Sequence, residues 1–185
     1  MVARASTPGD QHYVSQHEVD AAARHLEGKP RVRALVRFLW CTGARVTEAI
    51  RMQVKQLDFR QKTARLQTLK RRKVMWRTLP LPGDVLGDVA MLINLHKLGA
   101  DDRVFAWSRQ RAFELVRDAF LAVGVERERC HPHALRHGHA HHAINNGVPL
   151  NAIQAQLGHA SIVTTSGYLA ATGEDLRREY GKVTW

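Results

Sequence analysis

QLDFRQKTARLQTLKRRKVMWRTLPLP, residues 56–82, is the stretch that decides the fold. On both sides of it apolar residues recur with helical spacing. Within it that period fades, and three short segments of β type follow one another: Gln56–Arg60, Thr63–Leu69 and Val74–Leu81. Pro80 and Pro82 end the last, because proline lacks the N–H that a ladder needs. The simplest arrangement of such segments is a small antiparallel sheet. The turn between the second and third segments carries Lys70, Arg71, Arg72 and Lys73.

Outward from the sheet, the chain reads as helix. Ser15 and Glu18 have capping-box spacing, which predicts a helix from there to about Glu27, broken by Gly28 and Pro30. Val32, Leu35, Val36, Leu39 and Trp40 fall on one face of a second helix that Thr42-Gly43 ends. Val46 to Met52 reads as a short helix after a tight turn. Beyond the sheet, Asp84 and Ser108 are plausible caps of two further helices. Pro132 precedes a helix from about His133 to Asn146, and Pro149 suits the first turn of the next, which Gly158 ends. Short helices follow at about Ser161 to Leu169 and Glu174 to Tyr180. The predicted class is mainly α with a small three-stranded antiparallel β-sheet. The predicted organisation is a loose segment over 1–14 and a single domain over 15–185.

Bulk composition narrows the function. Lys and Arg number 28 against 17 Asp and Glu, a formal charge of +11 and a pI near 10.5. That balance favours a polyanionic partner, since each phosphate neutralised releases condensed counterions. No run of 18 apolar residues is present to span a bilayer, and MVARASTPGDQ lacks the apolar stretch of a signal peptide. Cys41 and Cys130 lack CxxC spacing, and Cys41 reads as a buried thiol in a reducing, cytoplasmic setting.

The chemistry-bearing groups lie in two places. TGARVTE at 42–48 supplies Arg45 and Glu48, and HALRH at 133–137 supplies His133, Arg136 and His137. LGH at 157–159 adds His159, and TTSGY at 164–168 ends on Tyr168. Two guanidiniums on one phosphate hold it through several N–H donors and offset charge in a pentacovalent transition state. His133 precedes Arg136 by three residues, hence shares its helical face. A phenol with a pKa of about 10 is a poor nucleophile at neutral pH and needs nearby positive charge or a base. A leaving oxygen needs a proton, and a lysine on the basic turn can give it: Lys70 first, Lys73 second. The histidines between 131 and 142 invite a metal reading, with His137 and His141 at i, i+4. No acidic or cysteine partner completes a set, so no metal is expected. Tyr13 and Tyr180 read as structural, His137 as a support behind the site, and His139, His141 and His142 as solvated or packing.

The ordered set HALRH…IQAQLGH…TSGY with TGARVTE upstream resembles the tyrosine recombinase (phage integrase) family, from about Ser15 to Tyr180. The resemblance implies that Arg45 and Arg136 clamp a phosphate, that His133 and His159 assist, that Lys70 is the hairpin lysine and that Tyr168 is the nucleophile. Glu48 would support the first arginine, and Arg71, Arg72 and Lys73 would contact DNA. The implied activity is site-specific cleavage and rejoining of DNA through a 3′-phosphotyrosyl intermediate, without cofactor or metal. The implied partners are double-stranded DNA and further copies of the chain, a homotetramer on DNA that is a monomer when free, with residues 174–185 docking on a neighbour. The implied setting is a bacterial or phage-encoded protein associated with the nucleoid, with no membrane partner. The N-terminal DNA-clamping domain of most members is expected to be absent, as in the short fimbrial-switch (Fim-type) invertases or in an excised catalytic domain. A DNA-binding regulator without productive recombination and a type IB topoisomerase-like enzyme are the alternatives. Arg31, Arg33 and Arg37 read as a solvated helix face with a general role toward the DNA backbone at most.

Overall fold

The computed structural model describes residues 12–70, 73–158 and 173–185. Helix α1, Gln16–His25, opens with the capping box: Ser15 Oγ accepts the Glu18 N–H at 3.3 Å, and Glu18 accepts the Ser15 N–H at 2.7 Å. Helix α2, Pro30–Thr42, starts on a proline whose missing N–H would be unpaired there anyway. Its stripe is the centre of the main core, with Leu35 and Phe38 fully buried and Leu39 nearly so. Truncating Phe38 to alanine at such a position costs about 3–5 kcal/mol.

Helix α3 is only Val46–Ala49, shorter than the predicted Val46–Met52. The backbone of Met52 leaves the helix because its carbonyl accepts the Val104 N–H at 3.1 Å. The sheet has the order β1-β2-β3 and is antiparallel throughout. Strand β1 is Leu57–Asp58, β2 is Thr63–Lys70 and β3 is Lys73–Pro80. The first strand is shorter than Gln56–Arg60 for two local reasons. Val54–Gln56 forms a 3-10 turn, and Asp58 Oδ1 accepts the Gln61 N–H at 2.7 Å, folding the chain back. Register pairs Ala64 with Leu79 and Leu66 with Arg77, so those four face the core side together.

Helix α4, Gly83–His96, begins one residue before its expected cap; Asp84 lies in the first turn, where its charge suits the helix dipole. Helix α5, Arg109–Leu121, is capped by Ser108 as predicted. Helix α6 is Pro132–Asn145, α7 is Leu150–Leu157, and α8 is Gly173–Tyr180. The helix expected at about Ser161 to Leu169 lies outside the described residues. Among the described residues no helix is long and apolar enough to cross a membrane.

Packing bears on three expectations. Arg31 and Arg37 do not form a solvated face. Arg31 donates twice to the Val104 carbonyl, at 3.1 and 2.9 Å, and lies over the Trp107 ring, while Arg37 pairs with Asp84 and Asp88. Residues 174–185, expected to dock on a neighbour, pack part of their apolar surface within their own chain. Leu176, Tyr180 and Val183 are buried in the same chain with Ala143, Val148, Ile153 and Leu157, forming a second core. Of the two readings of His139, solvated or packing, the structure has the second: it is fully buried, and Trp185 stacks on its ring at 4.7 Å.

Candidate active site

The turn before α3 positions Arg45. Gly43 ends α2 at φ 61°, a left-handed conformation that glycine adopts without cost. A β-carbon there would also lie 2.6 Å from both His139 and Leu157. Thr42 Oγ1 accepts the Ala44 N–H at 3.2 Å and donates to the Phe38 carbonyl at 2.6 Å, so the turn is tied back to its own helix. Arg45 then caps α3, its side chain 44% exposed and paired with Glu48.

Arg136 enters from the first turns of α6 and is 5% exposed. Its two terminal nitrogens donate to the carbonyls of Gly43 and Leu157, each at 2.7 Å. Those carbonyls are the ends of α2 and α7, where helix dipoles leave partial negative charge, so the guanidinium caps both. Burial first, and then the neighbouring charge of Arg45, lower the Arg136 pKa to about 10. It stays protonated at neutral pH. Two cations held this close favour an anion between them.

His133, one turn before Arg136, is exposed. Its pKa is lowered first by partial burial, then by the charges of His137, Arg136, His131 and Arg45. A largely neutral imidazole beside two guanidiniums can accept a proton. His137 does not stand behind the site as expected. It is exposed, with its ring 4.5 Å from that of His133. The histidine behind the site is His139, whose Nδ1–H donates to the Trp40 carbonyl at 2.7 Å while Nε2 accepts from the Tyr180 hydroxyl at 3.3 Å. Burial lowers its pKa to about 3 and pushes the Tyr180 phenol well above its usual range, so both are structural. Tyr13 is likewise engaged, its hydroxyl 3.1 Å from His141. Among the described residues no group of three or more His, Cys, Asp or Glu side chains is placed to hold a metal ion.

Glu48 forms the floor beneath Arg45. It accepts the Arg45 N–H at 2.8 Å, the Arg45 guanidinium at 3.1 Å and the Thr68 hydroxyl at 2.6 Å. Burial by itself would raise its pKa. Hydrogen bonds and charge from Arg77, with Thr68 and the Arg45 N–H, more than offset that and lower it to about 2. Arg77 is the residue that sequence reading missed. It looks like one more basic residue on a strand, and its only signal is register: it faces inward beside Leu66.

The backbone of Lys70 pairs with that of Lys73 at the tip of the β2–β3 hairpin. Arg71, Arg72, His159 and Tyr168 lie outside the described residues. The described part of the site thus unites Arg45, His133 and Arg136 with Glu48 below and the hairpin alongside.

Comparison with known proteins gives the same picture. The family model described as "Phage integrase family" matches residues 12–174. Tyrosine recombinase XerD of Bifidobacterium longum is 29% identical over 181 residues, covering 88% of this chain and 58% of the relative. The crystal structure of XerA recombinase superposes with a TM-score of 0.69 at 25% identity, covering 92% of this chain and 64% of that one. XerH recombinase bound to its difH substrate, in a pre-cleavage complex, superposes with a TM-score of 0.68 at 18% identity, over 92% of this chain and 50% of that one. The chain spans somewhat over half the length of the curated relatives it matches. Its fold, mostly helical with one small sheet, is that of tyrosine recombinase catalytic domains.

Proposed function

Because the chain belongs to the phage integrase family, we propose that it catalyses site-specific cleavage and rejoining of double-stranded DNA. The observation that supports this reading is that Arg136 is bonded to the Gly43 carbonyl, two residues before Arg45, with His133 one turn earlier on the helix of Arg136. Its relatives are recombinases, and XerH is seen with its difH substrate.

In the proposed reaction Arg45 and Arg136 hold the scissile phosphate and offset the charge that grows on it. The Tyr168 phenol oxygen forms a bond to phosphorus as the bond from phosphorus to the 5′-oxygen breaks. The phenol proton passes to a neutral histidine, His133 or His159, and the leaving 5′-oxygen takes a proton from Lys70 or, second, Lys73. The 3′-phosphotyrosyl bond retains the energy of the original diester. A 5′-hydroxyl of a partner strand then reverses the step. Glu48 holds Arg45 from below without reacting, and Arg71, Arg72 and Lys73 bind the flanking backbone. Four copies on two duplexes form the proposed working assembly.

The test is a nicked suicide duplex carrying a binding site enriched from a random library. The expected result is a covalent protein–DNA adduct that Tyr168→Phe abolishes. Tight binding with no adduct from the wild-type chain would overturn the enzymatic reading in favour of a DNA-binding regulator. Site-independent relaxation of supercoiled DNA would favour a topoisomerase.

A further inference from the structure

Arg77 bonds to several separate parts of the described site. From strand β3 its Nη1 donates to Glu48 Oε1 at 3.0 Å and its Nη2 to Glu48 Oε2 at 2.6 Å. Nη1 also donates to the Thr68 hydroxyl of β2. Its Nε donates to the Gln156 carbonyl, at the C-terminal end of α7, at 3.0 Å. The side chain of Gln156 continues the chain of bonds, donating to the Thr42 carbonyl at 3.3 Å. Gly158 rests against the same guanidinium: a β-carbon there would lie 3.2 Å from Nη1. Arg77 is 12% exposed, so little of it faces solvent.

These contacts reach three segments that bear proposed catalytic groups. Through Glu48 they reach the turn that presents Arg45. Through β2 and β3 they reach the hairpin tip that carries Lys70. Through Gln156 and Gly158 they reach the end of α7, next to position 159. The geometry assigns Arg77 as a positioning residue that locks these three segments in one register for DNA cleavage. The assignment rests on the proposed recombinase reaction for its functional consequence. Arginine is required because its planar fork serves two carboxylate oxygens, a hydroxyl and a carbonyl at once. A lysine ammonium is a point donor that cannot span Glu48 and Gln156 together.

The experiment compares wild type, Arg77→Lys and the uncharged double variant Glu48→Gln/Arg77→Gln. The double variant replaces the ion pair with neutral groups of similar size and guards against misfolding of the single one. Single-turnover adduct formation is measured at saturating protein on the suicide duplex, with DNA affinity and urea stability measured separately. Misplacement of reacting groups by about 1 Å costs on the order of 10²-fold. Both variants should therefore cleave about 10- to 100-fold more slowly once DNA is bound, while affinity changes less than about threefold. A cleavage rate within about threefold of wild type in either folded variant overturns the assignment. So does a loss that merely tracks the unfolded fraction.

A second readout needs no activity. In Arg77→Gln the ¹³C titration of the Glu48 carboxyl should move upward, and the Arg45 Nε–H signal should shift. If neither changes, Arg77 does not hold this floor in place. If the wild-type chain forms no adduct but both signals move, the recombinase reading fails and the positional lock stands.

Discussion

The floor and the front of this site are built from the same residue type and solve opposite problems. On the floor, Glu48 and Arg77 form a closed ion pair. Both side chains are nearly buried, and the carboxylate accepts from Arg45, Thr68 and Arg77. At the front, Arg136 is as buried as Glu48 yet has no carboxylate, only two helix-end carbonyls, and Arg45 beside it is half exposed. The floor is neutral in sum and the front is not. A fold that sought only stability would neutralise both, because burying an unpaired cation opposes folding. The front keeps its positive charge, and that charge is what an incoming phosphate would meet.

The sharpest way to break this contrast is Glu48→Gln. It leaves Arg77 buried without a counter-charge next to an already positive pocket. Removing one partner of a buried pair costs about 3–5 kcal/mol, and urea unfolding should register a loss of that size. A change under about 1 kcal/mol would mean that the floor is not a closed pair.

The second test is acid. His139 has a folded pKa of about 3 against an ordinary 6.5. Its folded value is depressed, so its contribution is present above pH 6.5 and is lost as pH falls toward 3. Each unit of differential protonation is worth about 1.4 kcal/mol. Stability should therefore decline from just below pH 6.5, by up to about 3 kcal/mol at pH 4, and His139→Gln should flatten that decline. Glu48 acts in the same direction but lower, its contribution being lost as pH falls from 4.5 through about 2. A wild-type profile flat between pH 6.5 and 4.5 would remove His139 from the account.

The smallest stability effect belongs to the front. Arg45→Ala removes a side chain that is 44% exposed and leaves Glu48 paired with Arg77, so solvent screening holds the loss to about 1 kcal/mol. Unfolding should move by less than that, while adduct formation falls at least about 10²-fold, the scale set by losing one donor to a developing charge. An Arg45→Ala chain that unfolds readily would place Arg45 with the floor.

Much of the candidate site was legible because its signals are local. Capping-box spacing at Ser15, the proline at α6 and the glycine after Thr42 specify helix ends over a few residues, and the structure has all three. Arg45 and Glu48 share one turn, and His133 and Arg136 share one helical face, so spacing alone placed each pair together. Spacing could not separate His137 from His139. Both lie on α6, and only the packing of α2 and the C-terminal segment decides that His139 is enclosed and His137 exposed. Arg31 and Arg37 were misread for the same reason, since Val104, Asp84 and Asp88 are far along the chain.

What the sequence determined by itself was the alternation of helix and sheet and the spacing of the candidate reactive groups. Dihedral preference and side-chain period act over one or two turns and need no distant partner. Which cation is neutralised and which is left charged was decided only by the tertiary structure. Arg77 is 29 residues from Glu48 and on a different element. Nothing in its neighbourhood along the chain marks it apart from the basic residues of the hairpin. Burial decides the difference: in a low-dielectric floor a carboxylate must be matched to a specific guanidinium, and that match exists only once the strand has closed over the turn.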